Sequence, residues 1–173
     1  MVFTPFVIEK NTHRTVYVSI APATNEDIQQ TLVSGWQTEW NSEYLQDPTI
    51  DKFSMKTDSG ELIALGAYQI IGKQAYVFIL YLESAPHSNP TIVNKQERKY
   101  SGIGEAMIAF GIKYSIDNGG RGEVIFDAKT EQLAEHYRKD FHALEITNSL
   151  SGGPRRFMLA DVEAWQVFSK YLV

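Results

Sequence analysis

Eight consecutive uncharged residues, Ala75-Tyr76-Val77-Phe78-Ile79-Leu80-Tyr81-Leu82, constrain the fold more than any other stretch of this sequence. The run is too short to cross a membrane as a helix, and its aromatic and β-branched side chains favour a strand. With no polar alternation, both faces of that strand need cover, which places it at the centre of a sheet. Upstream, Phe53–Thr57 alternates, Asp58-Ser59-Gly60 turns, and Leu62–Ile71 returns before a second turn at Gly72-Lys73. These are successive hairpins, so the strands leading to the central one run antiparallel. Downstream, Ile103, Met107, Phe110 and Tyr114 recur at helical spacing, Ile108 and Ile112 widen the stripe, and Glu123–Asp127 forms another short apolar strand. A strand, helix, strand crossover makes its two strands parallel. The expected fold class is α/β (α+β): a mixed, mostly antiparallel central sheet with one parallel pair and helices on both faces.

The remaining segments fit a single domain over residues 1–173, without repeats, low-complexity runs or a linker. A hydrophobic content of 43% in 173 residues suffices for one core. Thr15–Ile20 alternates as a strand, and Thr24 reads as an N-cap with Asp27 three positions on, starting a short helix with Ile28 and Leu32 on one face. Ser34–Pro48 has two readings. Its Trp36, Trp40 and Tyr44, flanked by Glu39 and Glu43, form either a core-packing helix or lid, or an aromatic and acidic wall for an amine. Thr130 caps a helix carrying Leu133, Ala134 and Tyr137 to about Lys139. Phe141–Ser149 and Arg155–Ala160, joined through Ser151-Gly152-Gly153-Pro154, read as a closing hairpin. Asp161 then caps a last helix whose Val162, Trp165, Phe168 and Leu172 face the core.

Charge and composition narrow the function. The net charge of −5, with its acids spread along the chain, argues against a nucleic-acid partner and suits a cationic substrate. Without cysteine there is no disulfide, thiolate nucleophile or cysteine metal site. No apolar run approaches the roughly 18 residues of a membrane helix, and the first residues lack a basic start with an apolar core, so a cytoplasmic protein without membrane association is expected. Chemistry concentrates in Arg98-Lys99-Tyr100-Ser101-Gly102-Ile103-Gly104-Glu105, the loop that feeds the long helix. Its glycines let successive N–H groups approach an anion, the helix terminus adds a positive dipole end, and Arg98 and Lys99 add charge. A glycine-x-glycine triplet alone is weak, since Gly120-Arg121-Gly122 is a second one that leads into a strand.

The order of antiparallel hairpins, buried strand, Lys99-x-x-Gly102-x-Gly104, helix, parallel strand and a helix with Tyr137 resembles the GNAT acyltransferase superfamily. The carrying segment is about Ala75–Phe141. The family's loop pattern starts with Arg or Gln, where Lys99 stands here. The family's tyrosine falls on Tyr137 of Tyr-Arg-Lys-Asp-Phe-His, with Phe141-His142 replacing Gly-Phe, and Thr130 takes a position often held by Asn. The resemblance implies acetyl-CoA as co-substrate, with the Lys99–Glu105 amides around its pyrophosphate and two splayed parallel strands admitting the pantetheine arm. Tyr81, Leu82, Arg98, Thr130 and Tyr137 complete the implied cofactor contacts. No metal is implied, and the family is often dimeric.

A protonated amine must lose a proton before it attacks a thioester. Glu83, at the end of the apolar strand, is the first candidate base, and His87 in the next loop the second. Main-chain N–H groups at Leu82 or Glu83 suit an oxyanion, and the Tyr137 phenol suits protonation of the departing thiolate. His136 points about 100° away from Tyr137 on a helix and reads as surface. Asp127 and Glu131 lack a further ligand at metal-site spacing. The leading expectation is an N-acetyltransferase acting on an amine by direct attack in a ternary complex, with a small-molecule or peptide acceptor. A non-catalytic CoA-binding or sensor module is the alternative. A nucleotide-binding α/β protein of another type lacks its phosphate-loop motif here.

Overall fold

The computed structural model describes residues 1–33, 35–147 and 152–173. Nine strands form one sheet: β1 (Phe6–Glu9), β2 (Arg14–Pro22), β3 (Ile50–Thr57), β4 (Leu62–Ile71), β5 (Tyr76–Ser84), β6 (Tyr100–Ser101), β7 (Val124–Ala128), β8 (Leu144–Glu145) and β9 (Arg155–Leu159). Their spatial order is β6-β1-β2-β3-β4-β5-β7-β9-β8. Every pairing is antiparallel except β5 with β7, which the helix between them enforces. The helices are α1 (Asn25–Gln30), α2 (Ile103–Asp117), α3 (Glu131–Asp140) and α4 (Asp161–Ser169). Among the described residues no helix is long and apolar enough to cross a membrane.

Each face of the sheet has its own core. On one side α2 lays Met107, Phe110 and Ile112 against β4, β5 and β7, with α3 and α4 beside it. Tyr68 of β4 is fully buried there and donates its hydroxyl to the Met107 carbonyl at 2.9 Å, so its polar atom is satisfied. On the other side Trp40, Leu45, Ile50, Leu62 and Leu65 form a second cluster. Helix α1 begins with a capping box: the Asp27 N–H donates to Thr24 Oγ1 at 3.1 Å and the Thr24 N–H to Asp27 Oδ2 at 2.9 Å. Ser54 of β3 also donates to Asp27, at 2.8 Å, and Lys56 pairs with it at 2.7 Å, which pins the helix to the sheet.

Several expectations change. Strands β1 and β6 were not anticipated; β1 forms a hairpin with β2 through Phe6–Tyr17 to Glu9–Arg14, and two-residue β6 gains its pairing only from distant β1, Tyr100 with Glu9 and Ser101 with Ile8. Strand β5 buries Val77 and Ile79 under α2, whereas Phe78 on its other face is half-buried beneath the Arg156 guanidinium, 4.7 Å from the ring centre. The buried stripe of α4 is Ala164, Val167 and Phe168, continued by Tyr171, and Val162 and Trp165 are exposed. Two apolar stripes overlap at Phe168, and contact with α2 selects the one that carries small Ala164. Leu32 is exposed because α1 ends at Gln30. Asp161 is the first residue of α4, with Ala160 at the cap. Of the expected closing hairpin, β8 and β9 pair through Leu144–Met158 and Glu145–Phe157; residues 148–151, which include Ser149 and Ser151, lie outside the described residues, as does Ser34.

Candidate active site

A gap opens in the sheet between β5 and β7. The two strands pair through Val77–Val124, Phe78–Ile125 and Ile79–Phe126, and there the ladder stops although β5 runs on to Ser84 and β7 to Ala128. On its other edge β5 stays bonded to β4, but Tyr68 pairs with Ile79 and Ala67 with Tyr81, so Leu80 is an extra, bulged residue. A bulge bends its strand and adds twist, which turns the end of β5 away from β7. The β7-facing edge from Leu80 to Ser84 is left without a strand partner.

The N-terminus of α2 comes from the loop that follows β5. Gly102 holds a left-handed φ of 85° that suits glycine and serves as N-cap without a side-chain bond. Ala106 donates to the Gly102 carbonyl, so the N–H groups of Ile103, Gly104 and Glu105 lie in the turn that has no intrahelical acceptor. A Cβ on Gly102 or Gly104 would meet nothing within 4 Å, so the space before these amides is open. Tyr100 and Ser101 anchor the loop as β6. The Lys99 side chain turns elsewhere: Nζ bonds Glu61 at 2.7 Å. Arg98 is half-buried with no salt bridge among the described residues, and Glu105 is paired to Lys170 at 3.1 Å.

Glu83 is buried, and its carboxylate accepts from the Gln37 N–H at 2.5 Å, the Thr38 N–H at 3.1 Å and the Trp40 indole N–H at 2.8 Å. It therefore anchors an irregular segment over the second core cluster. Trp40 is fully buried, Trp36 half-buried and Tyr44 exposed in a short 3₁₀ turn, so this segment is neither the continuous helix nor a complete aromatic wall. Tyr81 packs edge-on against Trp40, and the Lys129 ammonium lies 5.2 Å from its ring centre, bridging from the far side of the gap. Tyr137 packs among Phe126, Phe141 and Phe157, and burial pushes its phenol up to about 12, so it stays protonated at neutral pH. Thr130 caps α3 by accepting from the Leu133 N–H. His136 is exposed and paired with Asp140, while Asp127 and Glu131 bond Arg156 and Arg155.

No protein-family model matches this sequence, and no curated protein matches it. Solved structures do. Spermidine/spermine N-acetyltransferase SpeG from Vibrio cholerae, in complex with manganese ions, superposes with a TM-score of 0.58 at 12% identity, covering 88% of this chain and 96% of that one. A dodecameric spermidine N-acetyltransferase from Vibrio cholerae, in an intermediate state, gives 0.56 at 14% identity over 90% and 96%. The mixed architecture, a nine-stranded, mostly antiparallel sheet with one parallel pair and four helices among the described residues, matches the fold of these neighbours over about 90% of the chain. The chain has the GNAT fold.

Within the GNAT fold of this protein, the gap and the α2 terminus lie at the same end of the sheet, because both follow the C-terminal end of β5. Of two groups at that end, Glu61 carried no expected role and Trp40 takes one other than its spacing suggested. Glu61, between the β3–β4 turn and β4, pairs with Lys99 and stands 3.7 Å from His87 Nε2. Trp40 bonds Glu83 across 43 positions. Glu61 has no sequence signature, since a lone acid after a turn is an ordinary feature, and the aromatic spacing that marked Trp40 did not point to Glu83.

Proposed function

We propose that this protein is an N-acetyltransferase that moves an acetyl group from acetyl-CoA to the amine of a small-molecule or peptide acceptor. The observation that carries the reading is the unpaired edge of β5 from Leu80 to Ser84 beside an α2 terminus with open space at Gly102 and Gly104. The residues fit the co-substrate: the Ile103, Gly104 and Glu105 amides would hold its pyrophosphate, and the main chain of Tyr81 and Leu82 its amide-rich arm. When bound, acetyl-CoA supplies an activated acyl thioester. Lys99 is engaged at both ends, its side chain with Glu61 and its N–H with the His87 carbonyl at 2.9 Å, so Arg98 is the cation left for the phosphates. Tyr137, kept protonated by burial, would give its proton to the leaving sulfur. Glu83 holds the 37–40 segment in place as a positioning residue, and amides at the end of β5 are the donors available to a developing oxyanion.

A CoA-binding sensor without turnover is the second reading. It is favoured by the three donors that occupy Glu83 and by the aromatic packing around Tyr137. Isothermal titration of acetyl-CoA, CoA and ATP against the wild type and Gly104→Trp separates the cases. Acetyl-CoA binding without ATP binding, abolished by the tryptophan that fills the open space, is expected. Absence of acetyl-CoA binding overturns both readings, and binding without transfer to any amine leaves the sensor.

A further inference from the structure

The β5–β7 ladder pairs Val77 with Val124, Phe78 with Ile125 and Ile79 with Phe126, a register that would set Leu82 level with Lys129 had the strands stayed together. Lys129 follows the last residue of β7, across the gap from the unpaired edge of β5. It is exposed, and its side chain leans back over the opening, with Nζ 5.2 Å from the ring centre of Tyr81. The acids near it in sequence are committed elsewhere: Asp127 bonds Arg156 at 2.8 Å and Glu131 bonds Arg155 at 2.6 Å. Among the described residues the Lys129 ammonium has no carboxylate partner, and an exposed cation–ring contact is weak, so this amine is easily released. Lys99, at the same end of the sheet, is by contrast tied to Glu61 at 2.7 Å.

Tyr81 belongs to the cluster on the face opposite α2, with Trp36, Trp40 and Leu62. A cavity of about 520 Å³ at the end of β5, lined by Trp36, Leu62 and Pro86, opens on that face too. Helix α2 covers the other face, so an acceptor reaches the gap from the Tyr81 side, where the Lys129 amine already stands. Resting on the transferase reading, we propose that Lys129 is itself an acceptor, and that its Nζ takes the acetyl group held in the gap of the same molecule. The main chain of Tyr81 and Leu82 is the stretch that would hold the arm of the donor, and Lys129 lies level with it. A tethered nucleophile beside a bound thioester acts at an effective concentration far above that of a free amine.

The Lys129 ammonium gives one proton to water, and the freed lone pair attacks the acyl carbon. The N–C bond forms as the C–S bond breaks, and the electron pair of that bond stays on sulfur. The second nitrogen proton passes through water to the thiolate, leaving an amide at Lys129 and a free thiol. Arg155 and Arg156 do not compete, because a guanidinium stays protonated and both are held by carboxylates. The amide carries no charge, so the hold on the Tyr81 ring is lost and the side chain is free to leave the mouth of the gap. Each molecule reacts once at this site, which separates the reaction from turnover on an added amine.

The test incubates the full chain in mildly alkaline buffer with acetyl-CoA carrying an isotope label in its acetyl group, and maps the peptides by mass spectrometry. Lys73, exposed in the turn between β4 and β5 at the opposite end of the sheet, is the internal reference. Label should reach Lys129 at least about 10-fold faster than Lys73, at a rate per molecule that does not change with protein concentration. Gly104→Trp should reduce Lys129 to the rate of Lys73. Without any acyl-CoA, acetic anhydride should label Lys129 several-fold more slowly once saturating CoA fills the gap, with Lys73 unchanged. Equal label at the two lysines, or a rate that rises with protein concentration, overturns the acceptor role of Lys129, while calorimetric binding of acetyl-CoA keeps the transferase reading. Anhydride labelling of Lys129 that CoA leaves unchanged overturns its placement at the gap. A chain that binds neither acetyl-CoA nor CoA by calorimetry removes the transferase reading and the acceptor role together.

Discussion

Replacing Glu83 by glutamine tests whether that carboxylate is a structural anchor or a free base. Its two oxygens accept from three donors that start 43 to 46 positions away, at 2.5, 3.1 and 2.8 Å, in a site 7% exposed. Hydrogen bonds to a charged group contribute roughly 1.5–3 kcal/mol each, and buried donors left without an acceptor cost a similar amount. Glutamine keeps the volume but replaces one acceptor oxygen by an NH₂ that must face an N–H group. Part of the network survives, so Glu83→Gln should destabilise by about 2 kcal/mol, or about 4–8 °C in Tm for a chain this long. Glu83→Ala removes every acceptor and should cost about 4 kcal/mol. Urea unfolding followed by tryptophan fluorescence measures both, with m unchanged if only stability is altered. In steady-state assays the loss should appear mainly as a raised KM for the amine, because the 37–40 segment follows directly on Trp36, which lines the cavity at the end of β5. A glutamine variant within about 0.5 kcal/mol of wild type, with kcat lost and KM intact, would refute the anchor and restore Glu83 as base.

Two further outcomes follow from particular contacts. The Tyr137 hydroxyl has no hydrogen-bond partner among the described residues, so Tyr137→Phe should leave the melting temperature within about 2 °C while lowering turnover roughly 10- to 100-fold; a large loss of stability with full turnover would reverse the assignment. Burial opposes ionisation of Asp27, but Lys56, the Thr24 N–H and Ser54 outweigh it and hold the carboxyl below its ordinary value. A carboxylate with a depressed folded pKa stabilises at pH above its unfolded value of about 3.9, and that stability is lost as pH falls through the folded pKa. Asp27→Asn should therefore flatten the decline in melting temperature between about pH 5 and pH 2; an unchanged slope by calorimetry would show that other acids set it.

The sequence by itself determined what depends on periodicity and local chemistry. The apolar run at Ala75–Leu82, the turns at Gly60 and Gly72, the stripe on α2 and the Thr24 and Thr130 caps are short-range signals, and each appears in the structure where expected. The parallel pairing of β5 with β7 was legible because a crossover helix permits only one sense. Tertiary structure decided what depends on partners far along the chain. Strand β6 exists only through its pairing with distant β1, and the face of α4 was settled by α2, since two overlapping stripes are equally apolar in isolation. The bulge at Leu80 that ends the β5–β7 ladder leaves no mark in a uniformly apolar run. Sequence could rank Glu83 above His87 only by strand position. Folding placed three donors around Glu83 and set Glu61 against Lys99 and 3.7 Å from His87, because burial and hydrogen bonding are properties of neighbours in space.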